Sequence, residues 1–415
     1  MVTMKILGIE TSCDETAAAV VEDGVRLLSN VVSSQMDDFA RFGGVIPEIA
    51  ARSHIEVMLP VVEKALTQAE CSWDDIDAIG VTYAPGLIGS LMIGTLTART
   101  LAYLKHKPLY AVHHVEGHVY ANFLTEVCEG TTNGLSGLQL PTHQPKFPLL
   151  ALIVSGGHTQ LALFYGHGDY VLLGQAQDDA VGEAFDKVAK IIGLPYPGGV
   201  SISTLAPAGN AQAFAFPKAI LPCPPHCRHE INAPVTTESS ATIRGGRGEI
   251  FARDRCHRYD FSFSGVKTAV LRAVQTACGV DHTFPSKDLP ERVSERLRAD
   301  AAASFQRVAV ETLVDKTLLA YHDYSPASVV IAGGVAANQE LRRQLSEALP
   351  VPIEYAPMSL CTDNAAMIAS LAYFMAQSVE PADPLSLEAV PALSMTKTRW
   401  SDKIAEGRLQ RAEKA

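Results

Sequence analysis

Short apolar runs alternate with amphipathic runs and polar turns along the first third of the chain. Apolar runs bounded by turn residues are typical of buried strands, and apolar positions with a period of about 3.6 residues indicate helices. The pattern predicts strands at residues 5–10, 17–21, 25–34, 78–82 and 109–112, and helices at residues 47–69 and 87–104.

The second half repeats this plan without repeating the sequence. It predicts strands at residues 149–154, 160–165, 170–174, 329–332 and 353–356, and helices at residues 180–192, 339–349 and 362–376. A repeated plan favours a duplicated, strand-rich α/β unit with a cleft between two lobes.

The same pattern divides the chain into lobes and connections. We expect a first lobe at residues 4–125, an inter-lobe loop at 126–147, a second lobe at 148–361 and a C-terminal tail at 379–415. The helix at about 362–378 should pack back on the first lobe. Residues 217–260 form an irregular insertion in the second lobe, and such long segments are either functional or disordered.

Length, charge and cysteine content narrow the class of protein. A chain of 415 residues that is 47% hydrophobic can bury large cores in two lobes. Its net charge of -11 means that an RNA substrate would need a local basic patch or a partner. Eight scattered cysteines and no secretory leader favour a cytoplasmic protein with reduced thiols. The uncharged run at residues 78–98 contains a turn at Pro85 and Gly86, which favours a strand and a buried helix over a membrane span.

Residues 113–118 read HHVEGH and concentrate three imidazoles and one carboxylate. If the segment is helical, His114 and His118 lie on one face, where two neutral imidazoles can form half of a metal site. The alternative is a cluster of buried or solvated histidines. Glu116 does not have the offset of the His-Glu-x-x-His pattern of zinc peptidases. Asp363, near the start of the last predicted helix, is either the third ligand or a helix-capping acid.

Paired glycines occur in three turns: SGGHT (155–159), YPGG (196–199) and GGVAAN (333–338). Glycine lets backbone N–H groups approach an anion, and the third turn also opens a helix, whose N-terminus favours phosphate. Each is compatible with a plain turn, but together they suggest a nucleotide in the cleft. Asp186 is either a solvated acid paired with Lys190 or an acceptor for ribose hydroxyls. Asn338 can offer its amide to a ribose or a base.

Ten motifs, in order along nearly the whole chain, resemble those of the TsaD family, the tRNA N6-adenosine threonylcarbamoyltransferases once called glycoproteases. They are IETSCDET (9–16), GGVIPE (43–48), PGL (85–87), HHVEGH (113–118), VSGGHT (154–159), EAFDK (183–187), YPGG (196–199), DFSFSG (260–265), GGVAAN (333–338) and CTDN (361–364).

The resemblance implies a two-lobed actin/Hsp70-like (ASKHA) fold and an acyltransferase. The implied reaction moves a threonylcarbamoyl group from threonylcarbamoyl-AMP to N6 of the adenosine beside the anticodon, in tRNAs that read codons beginning with A. The resemblance implies one iron or zinc ion, at positions that match His114, His118 and Asp363. The ligand-binding positions match Ile153, Val154, Ser155, Gly156, Gly157, Asp186, Gly199 and Asn338. The implied bacterial partners are a TsaB-like, metal-free paralogue and a TsaE-like small ATPase, with no membrane.

The residues suit this reaction because the implied donor is an activated anhydride and no protein nucleophile is needed. A metal with open positions can grip the donor and polarise its carbonyl, and the glycine turns can hold the leaving phosphate. Asp14 and Glu15 are our candidates for orienting or deprotonating the attacking amine. The rival functions are a metallopeptidase, which needs a water-activating glutamate, and a non-catalytic ASKHA scaffold, which would lack the metal ligands.

The chain also departs from the family pattern. Val200 stands where the family commonly has proline, and KTRW (397–400) keeps only part of a C-terminal Pro-Arg-Trp. The long insertion could hold a second zinc ion on Cys223 and Cys227, with His226, His229, Cys256 and His257 nearby. Its arginines form either a solvated loop or an arm that contacts tRNA phosphates: Arg244, Arg247, Arg253, Arg255 and Arg258.

Overall fold

Two mixed β-sheets lie at the centre of the computed structural model, which describes residues 3–36, 39, 44–128, 135, 137–221, 257–398 and 400. The strands of the first sheet are β1 (Lys5–Glu10), β2 (Glu15–Glu22), β3 (Arg26–Ser34), β4 (Ala78–Ala84), β5 (Leu109–His113) and β6 (Glu126–Val127). The strands of the second are β7 (Leu149–Val154), β8 (Thr159–Gly166), β9 (Asp169–Gln175), β10 (Ser328–Ala332) and β11 (Ile353–Tyr355).

The two sheets share one topology. The first has the order β5-β4-β1-β2-β3-β6 and the second the order β11-β10-β7-β8-β9. In each sheet, the first strand in chain order pairs antiparallel with the second, and the second pairs antiparallel with the third. The first strand also pairs parallel with the fourth, and the fourth pairs parallel with the fifth. The repeated order confirms the duplicated α/β plan and the two-lobed actin-like class.

Helices cover both sheets. Among the described residues they are α1 (Pro47–Gln68), α2 (Ile88–Lys105), α3 (His114–Tyr120), α4 (Val181–Ile192), α5 (Gly198–Leu205), α6 (Ser264–Ala277), α7 (Glu295–Tyr324), α8 (Gln339–Ala348), α9 (Met358–Cys361) and α10 (Ala366–Ala376). None of them is both long enough and apolar enough to cross a membrane.

Strand β1 is buried on both faces, so its alternate side chains enter different cores. Ile6 belongs to the core that includes α10, whereas Leu7 and Ile9 belong to the core that includes α1 and α2. The α10 side requires a very close approach, because a Cβ at Gly8 would lie 2.3 Å from the carbonyl oxygen of Ala365. Helix α10 therefore packs directly on the backbone of the first sheet.

The structure differs from the predicted pattern in two ways. The last helix begins at Ala366, four residues later than predicted, because the side chain of Asn364 accepts a hydrogen bond from Met367 N and residues before it form a turn. Helices α5, α6, α7 and α9 were not predicted, and the short strand β6 lies where the inter-lobe loop was expected. Residues 222–256 of the insertion lie outside the described residues.

Candidate metal centre and active site

Helix α3 carries the two histidines of the predicted metal pair. Strand β5 runs directly into it, and the His114 and His118 rings lie with their centroids 4.6 Å apart. Both residues are buried. On another face of the helix, a Cβ at Gly117 would lie 2.9 Å from Cδ1 of Ile368, so α10 fixes α3 from that side.

Asp363 comes to the same place from the turn between α9 and α10. Its Oδ1 lies 3.6 Å from Nε2 of His114 and 3.4 Å from Nε2 of His118. The candidate ligand atoms of the three residues all lie within 4.8 Å of one another. Asp363 does not cap α10: the first-turn amide of Met367 donates to the side chain of Asn364 instead. The structure thus brings together three residues that are widely separated in sequence.

The chemistry of this set fits a divalent cation. Neither ring nitrogen of buried His118 has a hydrogen-bond partner in the described part of the chain, although Asp363 is near. A buried polar atom without a partner is costly unless an ion completes its contacts. Two imidazoles and one carboxylate are a donor set that suits zinc or iron.

A buried carboxylate holds the His114 ring from behind. Glu10 Oε2 lies 3.0 Å from His114 Nδ1, and Ser12 Oγ lies 3.1 Å from the same nitrogen. If Nδ1 donates to Glu10, the Nε2 lone pair faces the site. Burial alone would lower the pKa of His114, but the carboxylates of Asp363 and Glu10 raise it to about 9. The site therefore has a strongly negative potential that favours a cation.

The acidic turn between β1 and β2 faces the same centre. Its backbone is fixed at the Cys13 carbonyl, which accepts hydrogen bonds from His54 Nε2 and Ser90 Oγ, each 3.0 Å away. Burial, followed by the charges of Asp363 and Asp14, raises the pKa of Glu15 to about 10. Glu15 is thus near enough to Asp363 for their charges to interact, and Asp14 is close to Glu15.

The predicted binding segment at residues 153–157 is only partly accessible. Ile153 and Val154 are fully buried in β7. In the turn that follows, Ser155 N donates to the carbonyl of His158, and nothing lies within 4 Å of a Cβ placed at Gly156 or Gly157. The glycine backbone is therefore the open part of this segment.

His158 belongs to the site, although the sequence did not single it out. Its ring centroid lies 6.5 Å from that of His114, across from the metal residues. Burial, followed by the charges of His114 and His118, lowers the pKa of His158 to about 4. Its position within the SGGHT turn was the available signal.

Helix α5 brings together the other predicted ligand-binding residues. Asp186 accepts a hydrogen bond of 2.7 Å from Gly198 N, at the start of α5, and nothing lies within 4 Å of a Cβ placed at Gly199. Asn338 donates to Ser203 Oγ in the same helix. The Asn338 amide also bonds to Gln306 and Leu341, so its polar atoms already have partners within the protein.

Tyr196 links this region to the acidic turn. Burial raises the pKa of the Tyr196 hydroxyl, and the charges of Asp14 and Asp186 raise it further. Both carboxylates are therefore close enough to the Tyr196 hydroxyl for their charges to act on it. The sequence analysis did not select Tyr196, because its proximity to Asp14 and Asp186 arises only in the folded chain.

Glu116 does not face the metal residues. Its carboxylate contacts the hydroxyls of Tyr170 and Thr398, and burial raises its pKa to about 8. A water-activating role, as in a metallopeptidase, would need this carboxylate in the site.

Most of the candidate residues in the insertion lie outside the described residues: Cys223, His226, Cys227, His229, Arg244, Arg247, Arg253, Arg255 and Cys256. Arg258 is described, and its guanidinium pairs with the carboxylate of Asp323, with Nε 2.9 Å from Oδ2. It is therefore tied to the second lobe. Val200, at the departure from the family pattern, is 66% exposed.

Comparison with known proteins places these features in a family. The family model described as "TsaD: tRNA N6-adenosine threonylcarbamoyltransferase" matches residues 26–370. The chain belongs to this family. Proteins named tRNA N6-adenosine threonylcarbamoyltransferase are similar over nearly the full length. The one from Thermomicrobium roseum is 47% identical over 387 residues, which cover 92% of this chain and 94% of that protein. The one from Dehalococcoides mccartyi is 44% identical over 395 residues, which cover 95% and 100%.

The likeness to solved structures concerns the fold alone. Full-length HypF in its phosphate- and nucleotide-bound form aligns with a TM-score of 0.50 at 11% identity, covering 92% of this chain and 56% of that one.

Proposed function

We propose that this protein transfers the threonylcarbamoyl group of threonylcarbamoyl-AMP to N6 of the adenosine beside the anticodon, in tRNAs that read codons beginning with A. Membership of the TsaD family supports the reaction. The observation that carries the proposal is the convergence of the acidic turn, the His114, His118 and Asp363 group and the open glycine turn on one place.

We assign one iron or zinc ion to the three candidate ligands. When bound, such an ion supplies Lewis acidity and neutralises developing negative charge. His114, His118 and Asp363 would hold it, and Glu10 orients the His114 ring. The glycine backbone of residues 156–157 then offers N–H groups to the phosphate of the donor.

The acidic turn is assigned to the attacking amine. N6 forms a bond to the carbamoyl carbon, the anhydride C–O bond breaks, and its electron pair leaves with AMP. The amine loses a proton in this step. Burial and the charges of Asp363 and Asp14 raise the pKa of Glu15, so the two acids of the turn do not act alike. We assign Asp14 to orient N6 and accept that proton, with Glu15 beside it.

The structure favours this function over both rivals. A metallopeptidase needs a glutamate directed at the metal, and Glu116 is instead bonded to Tyr170 and Thr398. A non-catalytic scaffold would have no reason to keep three ligand atoms within 4.8 Å.

Reconstitution tests the activity directly. The purified protein is incubated with threonylcarbamoyl-AMP and unmodified tRNA, with and without a TsaB-like paralogue and a TsaE-like ATPase, which we propose as partners on the strength of family membership. Digestion to nucleosides should reveal threonylcarbamoyladenosine. Its absence in every combination, from metal-loaded protein, would overturn the proposal.

Replacing Asp14 with Ala tests the assigned amine role. We expect Asp14→Ala to abolish transfer, because N6 loses its proton acceptor, while binding of threonylcarbamoyl-AMP persists. The matched control is Asp74→Ala, which removes an exposed aspartate from another part of the first lobe. Equal transfer by Asp14→Ala and wild type would show that another group takes the proton.

A further inference from the structure

Helix α3 has a third face that the metal site does not use. His113 precedes the helix, and Glu116 and Tyr120 follow at three-residue and four-residue steps, which places all three near one side. All three residues are buried. The chain that covers this face is the C-terminal strap, which we define as residues 379–398 together with Trp400.

The strap is anchored along the first lobe. Ala382 N donates a 2.7 Å hydrogen bond to the carbonyl of Leu109, at the edge strand β5. Further along, Val390 N donates to the carbonyl of Tyr83 at 2.8 Å. These backbone bonds fix the strap beside the strand that leads into α3.

The strap then contacts α3 itself. His113 Nε2 lies 3.0 Å from the carbonyl oxygen of Leu393, and Thr398 Oγ1 lies 3.3 Å from Glu116 Oε1. Met395, between them, is fully buried. The same segment thus holds the residue before the helix and a residue of its first turn.

A residue of the second lobe completes this contact. The hydroxyl of Tyr170, in β9, bonds to Glu116 Oε1 and to the carbonyl of Met395. We call Glu116, Tyr170, Thr398 and the Met395 carbonyl the Glu116 junction. It joins the metal helix, the strap and the second sheet at one buried point.

Trp400 anchors the end of the strap to the second lobe. A Cβ at Gly168, in the turn between β8 and β9, would lie 2.3 Å from Cε2 of Trp400. The indole Nε1 donates to Ser378 Oγ at 2.8 Å. The strap therefore contacts both lobes as well as α3.

We propose that Glu116 is a positioning residue for the metal ligands, and that the strap and β9 act through it to fix the rotation of α3. A helix of 7 residues has too few internal hydrogen bonds to hold its own orientation. A ligand nitrogen lies roughly 6 Å from the helix axis, so a rotation of about 10° moves it by about 1 Å. Metal–ligand distances tolerate only about 0.2 Å. The junction thus governs how well His114 and His118 face Asp363.

The test is the Zn²⁺ dissociation constant of the full-length protein, measured by competition with a chromogenic chelator. Tyr170→Phe removes the hydroxyl and keeps the ring, and Glu116→Gln replaces the carboxyl group with an amide of the same shape. Each should weaken Zn²⁺ binding by about tenfold or more, the usual effect of losing an outer-shell partner. The Zn²⁺ affinity of the double variant should fall by less than the product of the factors for the two single variants, because both changes break the same junction.

The control is Tyr165→Phe, on the exposed side of the neighbouring strand β8, which should bind Zn²⁺ like the wild type. The thermal midpoint of each metal-free variant is recorded in parallel. Thr398→Val is measured as a third alteration of the junction, and it takes the place of Glu116→Gln if that variant does not fold.

This inference rests on the proposed metal site, and the outcomes separate the two. No Zn²⁺ binding by the wild type would overturn both. Unchanged Zn²⁺ binding by Tyr170→Phe and Thr398→Val, with only the thermal midpoint lowered, would show that the junction is merely structural and would overturn the positioning role alone.

Discussion

At the scale of single residues, the carboxylate of Glu10 orients the ring of His114, one of the proposed metal ligands. It is fully buried, bonds to His114 Nδ1 through Oε2, and receives a hydrogen bond of 2.6 Å from Thr82 Oγ1 on the same oxygen. A histidine that donates one N–H to a carboxylate presents a fixed tautomer and a more basic second nitrogen to the metal.

We therefore expect Glu10→Gln to weaken Zn²⁺ binding by about 10- to 100-fold, because the neutral amide no longer favours Nδ1–H and no longer raises the basicity of Nε2. Chelator competition measures this. Glu22→Gln, at the other end of the first sheet, is the matched control and should leave Zn²⁺ affinity unchanged. Equal affinities for Glu10→Gln and Glu22→Gln would contradict the assigned role.

The metal residues and their supports differ in how far sequence could reveal them. The four-residue spacing of His114 and His118 is visible locally, and the family resemblance pointed to Asp363. Glu10 lies 104 positions from His114, and nothing local shows that the two meet. His158 and Tyr196 stand in glycine turns that the sequence does mark, but their proximity to His114 and to Asp14 arises only in the folded chain.

At the scale of elements, the position of Asp363 depends on how α10 docks on the first sheet. The turn that carries Asp363 ends at Ala365, whose carbonyl would be 2.3 Å from a Cβ at Gly8. The Ala369 amide nitrogen would be 2.8 Å from the same Cβ. Both neighbours are backbone atoms, so they cannot rotate away.

Gly8→Ala should therefore push the start of α10 away from β1. We expect a loss of about 1–3 kcal/mol in the free energy of unfolding, as in other overpacked cores, measured by urea denaturation. Zn²⁺ affinity should fall at the same time, because Asp363 moves with the helix. Gly265→Ala is the control, since nothing lies within 4 Å of its Cβ and alanine suits a helix. A Gly8→Ala protein with normal Zn²⁺ affinity would show that α10 does not set the position of Asp363.

The helices that were not predicted have a physical explanation in α7. A surface helix shows an apolar stripe with a period of about 3.6 residues. The middle of α7 is instead buried on most sides, with consecutive buried residues such as Ala301, Ala302 and Ala303. The stripe that sequence analysis depends on is therefore absent. The late start of α10 has a local cause, the hydrogen bond that Met367 N donates to the side chain of Asn364.

At the scale of the whole molecule, the sequence revealed the repeated strand plan but not how the two lobes join. One junction is an aromatic cluster around His167, in the turn between β8 and β9. The His167 ring stacks on Phe374 of α10, with centroids 3.9 Å apart, and its Nδ1 lies 3.1 Å from the hydroxyl of Tyr120 in α3. Phe123 and Phe147 also contact the ring.

This cluster should make the association of the lobes sensitive to acid. Burial lowers the pKa of His167 from 6.5 to about 4, so between these values the unfolded chain binds a proton that the folded protein excludes. The contribution of neutral His167 to stability is thus complete above pH 6.5 and is lost as the pH falls towards 4.

His167→Phe keeps the stacked ring and removes this titration. Between neutral pH and pH 5, we expect the urea midpoint of His167→Phe to fall less than that of the wild type. The control is His322→Gln, at an exposed histidine, which should show the wild-type dependence of the urea midpoint on pH. If His167→Phe and wild type lose stability equally over this range, another group accounts for the acid sensitivity.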